Sequence, residues 1–478
     1  MGRLLEALVR WLGEALVRLY YPVRTVDGAE RIPPGKPLVF VLNHPNGLLD
    51  PLVLRVALGR PSRFLAKSTL YGNPLGRLAM NAFGSIPVYR PRDVEGARNA
   101  RTELGLSQRS PSREGAGTLS GFPRSNEESF ARCRAELASG GVLALFPEGT
   151  SHSDPEMKPL KTGAARIALS AEAEHDGHLG VTVVPVGLSY ERKTAFRSSV
   201  LLVVGEPIAI ASRLPAYRSD ERAAVSALTD EIGDRLDEIV LQADSRELLA
   251  GIARVARWTA GPATGDDPED PAARHRRARE MAAAYARMRA RDPGRLEAIV
   301  AEVRSYWQTL RRLGVRDPWA LELTAPRPAA LAGAVAKLVV AAPVAALGAI
   351  MGWIPYRLAG RIAAKVTKDE DVLSTVKLIA GALFLFLAWS GEAIAAGFAW
   401  GAIWALPTFA AGVASGYLAL LFEELLRDGV AGWRAVSLRA FHFKTAQRLT
   451  ERRRSLADAV VRALEETAEP PPADTAAQ

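Results

Sequence analysis

Residues 37–58 read PLVFVLNHPNGLLDPLVLRVAL, and the fold turns on how this stretch is divided. The apolar run from Leu38 to Leu42 is a candidate strand. Pro45, Asn46 and Gly47 supply turn chemistry, and Asp50-Pro51 opens a helix that continues through Ala57. His44 and Asp50 flank the turn. On one continuous helix residues six apart lie about 240° around the axis, so only a turn can bring these two side chains together. An imidazole held by a carboxylate is a general base of fixed tautomer, able to take a proton from an attacking hydroxyl. The other reading, equally open at this point, makes Asp50 an N-cap and His44 a buried turn residue.

Outward from this stretch, short apolar runs alternate with helical ones from about Pro37 to Pro207, the pattern of an α/β domain. The candidate strands are PLVFVL, RFLAK, SIPVY, GVLALF, VTVVPVGL and VLLVVG. The helix before GVLALF is well marked: Ser125 or Asn126 can cap it, Glu127 and Glu128 suit its first turn, and Gly140 ends it. Chemistry is then expected in loops at strand ends. Residues 99–125, rich in Ser, Gly, Pro and Arg without periodicity, are expected to be a mobile surface insertion.

The chain has 478 residues, with 61 Lys and Arg against 52 Asp and Glu, a net charge of +9. This balance suits anionic partners: nucleic acid, phosphorylated metabolites or acidic lipid. The single cysteine, Cys133, excludes an intramolecular disulfide framework and a Cys-rich metal site, and reads as a helix residue without chemistry. No secretory signal is recognisable at the N-terminus. Arg3, Glu6, Arg10, Glu14 and Arg18 instead recur among Leu, Ala, Val and Trp as one stripe of an amphipathic helix. Its apolar face either lies on a membrane surface or covers the domain core.

Further along, the composition becomes helical and strongly charged, with the default reading of a solvated helical linker. ARHRRARE at 273–280 has no aromatic interleaving, and nucleic acid is not expected as a partner. After Pro328 the character changes. Leu338–Tyr356 carries no charge for 19 residues, and in Leu378–Phe422 Glu392 is the single charge. Such segments are long enough to be membrane segments. Arg357, Arg361, Lys365, Lys368 and Lys377 flank the first, and Arg427, Arg434, Arg439, Lys444 and Arg452–Arg454 follow the last. If basic flanks stay cytoplasmic, three full crossings misplace some of them. The expectation is a re-entrant or interfacial first segment broken by Pro343 and Pro355, then a two-helix hairpin, with Glu392 at the hairpin turn or facing protein. EPPPADTAAQ is expected to be a disordered end.

Three more stretches bear on His44 and Asp50. FPEGTSHSD (146–154) follows a strand directly, GSIPVYR (84–90) ends in a cation, and VVPVGLSY (183–190) is a buried strand. In this order, over about Val39–Pro207, the four resemble the motif blocks of the glycerolipid acyltransferase family, the glycerol phosphate and lysophosphatidate acyltransferases. The first block departs from the usual pattern, with five residues rather than four between His and Asp. Ser151 stands where many lysophosphatidate acyltransferases carry Arg. Both features, with the C-terminal membrane region, look more like the fungal-type branch acting on glycerol 3-phosphate or dihydroxyacetone phosphate.

The resemblance implies an α/β domain with a central mixed sheet flanked by helices, plus a C-terminal α-helical membrane region. The expected division is 1–24, amphipathic helix; 25–215, acyltransferase domain; 216–327, charged helical region with a linker at 260–272; 328–425, membrane region; and 426–478, basic helical tail. It implies His44 as general base and Asp50 as its orienter. Arg90 would grip the acceptor phosphate. Glu148 would bind an acceptor hydroxyl or brace its loop, and Gly149 would let backbone approach the substrate. Lys67 and Lys161 would add positive potential, and His152 would replace the missing cation or stabilise the loop. No cofactor or metal is expected. The partners are an acyl donor (acyl-CoA, acyl carrier protein or acyl phosphate), glycerol 3-phosphate or lysophosphatidate, and membrane lipids, with the catalytic domain on the cytoplasmic face. EHDGH (174–178) lacks a third site with metal spacing, and no GxSxG elbow occurs. The implied function is acyl transfer to the sn-1 hydroxyl of glycerol 3-phosphate. The alternatives are lysophosphatidate as acceptor, or a catalytically inactive lipid-binding membrane scaffold.

Overall fold

A computed structural model describes residues 2–88, 126–259, 270–315, 328–367 and 369–468. Arg90, the insertion at 99–125, most of the linker at 260–272, Lys368 and the last ten residues of the tail lie outside this set. Two compact units are present. The first comprises Met1–Ser153, Met157–Val240 and Asp369–Thr375; the second comprises Asp154–Glu156, Leu241–Lys368 and Val376–Gln478.

Among the described residues, the first unit is built on an eight-stranded mixed sheet. Its strands are β1 (Arg24–Asp27), β2 (Leu38–Leu42), β3 (Arg63–Lys67), β4 (Ile86–Val88), β5 (Val142–Leu145), β6 (Thr182–Tyr190), β7 (Val200–Val204) and β8 (Ile208–Ala209). The order is β1-β7-β6-β2-β5-β3-β4, with β8 paired to β6. From β4 through β3, β5 and β2 to β6 every pairing is parallel, whereas β7 and β8 run antiparallel to β6. All five residues of β2 are buried, as a central strand covered on both faces requires. The six expected strands are present. The two that were not expected are short: β1 is half-buried along its length with a charge at each end, and β8 has two residues, so neither shows an apolar run.

Helices complete this unit: α1 (Gly2–Tyr20), α2 (Leu49–Leu58), α3 (Pro74–Ala82), α4 (Asn126–Ala138), α5 (Gly163–Ala173), α6 (Leu214–Ser219) and α7 (Glu221–Asp237). The two readings of α1 divide along its length. Val17 and Tyr20 are buried and Glu14 bonds Arg55 of α2 at 2.8 Å, while Leu4, Leu8 and Trp11 stay exposed. Cys133 of α4 is fully buried, which pushes its thiol up to about 12 and leaves it inert. The expected boundary at 215 falls too early. Val225, Leu228, Ile232 and Leu236 of α7 are buried in this unit, which runs to Val240.

In the second unit the charged region is no solvated linker. Trp258, Tyr306, Leu310, Leu438, Leu449 and Leu456 share one apolar cluster, and the Tyr306 hydroxyl donates to the Leu449 carbonyl at 3.2 Å. The helices involved are α8 (Arg246–Thr259), α10 (Pro293–Leu313), α13 (Ala405–Phe441) and α14 (Phe443–Ala468), so the basic tail is part of a core. The linker also ends earlier than expected. Asp270 caps α9 (Pro271–Arg291) by accepting from the Ala272 and Ala273 amides.

Among the described residues, three helical stretches are long and apolar enough to cross a membrane: Val335–Val366, Glu370–Trp400 and Ala402–Leu426. At 1.5 Å per residue, about 20 residues span the ~30 Å hydrocarbon core. The expected break in the first does not occur. Helix α11 (Pro328–Val366) runs through Pro343 and Pro355, as apolar helices packed on neighbours allow. Gly348 permits that packing, since a Cβ there would lie 2.0 Å from the Ser415 carbonyl oxygen of α13. Glu392 is inside α12 (Glu370–Trp400), and the turn falls at Gly401, whose φ of 102° suits glycine.

Candidate active site

Parallel strands deliver the ends of β2, β3, β4, β5 and β6 to one edge of the sheet, where open α/β sheets bind ligands. Just past β2, the Asn43 amide extends the ladder to β6. Its Nδ2 donates to the Leu188 carbonyl at 3.1 Å and its Oδ1 accepts from the Leu188 amide at 2.7 Å. With the strand end pinned, His44 is presented at the edge.

His44 and Asp50 come together. His44 Nδ1 lies 2.8 Å from Asp50 Oδ2, and the imidazole is 15% exposed against 0% for the carboxylate. The N-cap reading of Asp50 does not hold. It sits inside α2, whose N-cap is Leu48, and its side chain reaches back to accept the Asn46 amide at 2.8 Å. The Tyr190 hydroxyl, at the end of β6, donates to the other carboxylate oxygen at 2.7 Å. An ionised buried carboxylate is tolerated when such donors replace water. With Nδ1–H committed to Asp50, Nε2 carries the lone pair and has no protein partner among the described residues. The ring stacks on Phe146 with centroids 4.0 Å apart, so its plane is set by that face and by the bond at its edge.

The FPEGTSHSD loop locks onto the same place. The His44 amide donates to Glu148 Oε1 at 3.0 Å, and the His152 amide returns a bond to the His44 carbonyl at 3.1 Å. Glu148 Oε2 accepts the Lys158 amide at 2.8 Å and pairs with His152 Nε2. Both Glu148 oxygens are therefore bonded within the protein, and this 3% exposed residue braces its loop against His44. His152 Nε2 is likewise turned to Glu148. Truncating Glu148 to Ala leaves two amides and an imidazole without their acceptor. At about 1–3 kcal/mol for each buried group left unsatisfied, the expected result is a fall in melting temperature of several degrees, measured by thermal denaturation in detergent.

The remaining candidates are more dispersed. Gly149 has φ 72°, and a Cβ there would meet the Lys161 side chain, so that lysine lies across the loop where substrate approach was expected. Lys67 is exposed at the end of β3.

Several residues at this site carried no signal of their own. Tyr21, just past α1, is buried; its hydroxyl accepts from Asn46 Nδ2 at 2.7 Å and donates to the Lys193 carbonyl at 2.6 Å. Lys193, in the β6–β7 loop, places its ammonium 3.1 Å from the Pro45 carbonyl and against Ser153. Residues 369–375, the first turn of α12, also belong to this unit. Ser374 donates to the Lys193 carbonyl at 2.7 Å, and the Ser151 hydroxyl bonds the Asp371 carboxylate. An anion beside Ser151 makes that position hostile to a phosphate. The Asp371 carbonyl also occupies the space a Cβ on Gly47 would need, at 2.8 Å, where φ is 48°. Gly47→Ala is expected to destabilise by about 1–3 kcal/mol, read from the melting temperature. An unchanged melt would mean that this turn is not held as described.

A sequence profile described as Acyltransferase matches residues 23–189. An uncharacterized acyltransferase of Schizosaccharomyces pombe is 27% identical over 308 residues, covering 52% of this chain and 46% of that protein. Glycerol-3-phosphate O-acyltransferase 2 of Saccharomyces cerevisiae is 35% identical over 133 residues, 28% of this chain and 18% of that one. A chloroplastic 1-acyl-sn-glycerol-3-phosphate acyltransferase of Brassica napus is 28% identical over 171 residues, 35% of this chain and 38% of the relative. The chain thus spans less than half the length of each of these curated relatives.

Proposed function

We propose that the chain, whose residues 23–189 match a profile described as Acyltransferase, is a membrane-bound enzyme transferring a fatty acyl group to the sn-1 hydroxyl of glycerol 3-phosphate. One observation carries the chemistry: His44, bonded through Nδ1 to the buried Asp50, has its other nitrogen unpaired among the described residues at the sheet edge. The acceptor is suggested by the yeast relative named for glycerol 3-phosphate.

In this reaction His44 Nε2 removes the proton from the acceptor hydroxyl as its oxygen attacks the carbonyl of an acyl thioester or acyl phosphate. Collapse of the tetrahedral intermediate breaks the bond to the donor, and the imidazolium returns the proton to the leaving group when that group is a thiolate, or releases it to solvent when it is phosphate. Asp50 holds the tautomer and stabilises the imidazolium. No covalent acyl-enzyme is required. Arg90 is assigned the acceptor phosphate by its fork of donors.

Residues 369–375 belong to the catalytic unit and follow the basic end of α11, with Arg357, Arg361 and Lys365. The preference of basic flanks for the cytoplasm supports the reading that this unit works on the cytoplasmic face. A second reading, lysophosphatidate as acceptor, is favoured by the plant relative's name.

The test is an acyl-transfer assay on protein purified in detergent, offering glycerol 3-phosphate, dihydroxyacetone phosphate and lysophosphatidate in parallel. The expected product is 1-acylglycerol 3-phosphate from glycerol 3-phosphate. Faster turnover of lysophosphatidate supports the second reading. No transfer to any acceptor leaves a lipid-binding scaffold.

A further inference from the structure

The matched segment ends one residue before Tyr190, yet this tyrosine touches the dyad directly. Asp50 is fully buried and has two oxygens to satisfy. Oδ2 accepts from His44 Nδ1 and the Asn46 amide, each at 2.8 Å. Among the described residues, Oδ1 has a single donor, the Tyr190 hydroxyl at 2.7 Å.

We infer that Tyr190 is a positioning residue for acyl transfer: by donating to Asp50 Oδ1 it fixes the carboxylate's plane and shares its charge, thereby setting how strongly Asp50 pulls on His44. The inference rests on His44 and Asp50 acting as base and orienter.

Three observations support the assignment. First, Tyr190 is placed by the sheet and not by a loop: it ends β6, paired with Val200 of β7, on a strand next to the β2 that carries His44. Second, its ring is steadied by Tyr21, with centroids 5.1 Å apart. Third, burial, and then the charge of Asp50 beside it, push the phenol well above its usual range. It therefore stays protonated and donates throughout the working pH range. The titratable groups around the imidazole and its carboxylate are Asp50 itself, Glu148 and His152 from the loop after β5, Lys193 from the loop after β6, Tyr21 and Tyr190. Of these, Tyr190 bonds the carboxylate oxygen that the imidazole does not.

Removing the donor leaves a buried carboxylate oxygen unsatisfied. The carboxylate then has more charge to direct at His44, so the imidazolium is better stabilised and the free base is reached only at higher pH. The carboxylate plane is also less constrained.

The experiment compares the full-length enzyme with Tyr190→Phe, which keeps the ring, and with His44→Ala, following kcat, acceptor KM and kcat/KM against pH in one detergent. For Tyr190→Phe the expected result is a kcat lower by about 10- to 100-fold, the range typical of partners that orient a reacting group. Acceptor KM stays within about twofold, and the acid limb of the kcat/KM profile moves up by about one pH unit. A Phe variant with parental kcat and a superimposable profile overturns the inference, as does one that only melts earlier. If His44→Ala itself retains parental turnover, the base assignment fails, and this inference with it. Should Tyr190→Phe not fold, 3-fluorotyrosine installed at position 190 keeps the hydroxyl and strengthens its donation. The acid limb is then expected to move down, and an unmoved limb overturns the inference.

Discussion

His44→Ala is expected to lose about 10²- to 10⁴-fold in kcat, the usual contribution of a positioned general base. Acceptor KM should change little, because the imidazole acts on the proton in flight and not on ground-state binding. The fold should survive. The ring is at the sheet edge and partly exposed, while the backbone bonds of this residue, amide to Glu148 and carbonyl to the His152 amide, do not need the side chain. The measurement is initial rate against acceptor concentration at saturating donor, with a thermal melt on the same preparation. Turnover at the parental rate would remove the proposed mechanism outright.

Asp50→Asn is the second large effect. The amide is nearly isosteric, so α2 and the turn should hold, yet its geometry can present an N–H to His44 Nδ1. The imidazole then carries its proton on Nε2, the atom that must accept one. A loss of about 10²- to 10⁴-fold in kcat follows, comparable to that of His44→Ala. The two changes should be strongly non-additive, because they disable one unit: the double variant is expected to be no slower than the worse single variant within a few-fold. Additive losses would show that Asp50 contributes by a route other than the imidazole.

The sheet was legible where apolar runs are long enough to need burial on both faces. PLVFVL, GVLALF and VTVVPVGL are read directly, and the chemistry expected at their ends is where the structure puts the candidate side chains. What escaped was the polar β1, whose pairing with β7 comes from distant chain, and the two-residue β8. The charged stretch after 215 reads as a solvated linker for a related reason. Its apolar residues, such as Trp258, Tyr306 and Leu310, are spaced for partners far along the chain, and local composition reports only the solvated face. Glu148 illustrates the limit at the site: its place in a strand-end loop is read from the sequence, but its bonds to the His44 and Lys158 amides are not.

By itself the order of residues established an α/β domain, the turn between His44 and Asp50, and segments apolar enough for a bilayer. All of these depend on neighbours within about 20 positions, over which periodicity and turn chemistry act. Only the tertiary structure decided that Asp50 is held by Tyr190, that Tyr21 and Lys193 frame the turn, and that Asp371 lies against Ser151 and Gly47. A hydrogen bond has no signature along the chain when its partners are separated by 140 or 220 residues. It exists because a sheet and a returning helix bring those atoms within 3 Å of one another.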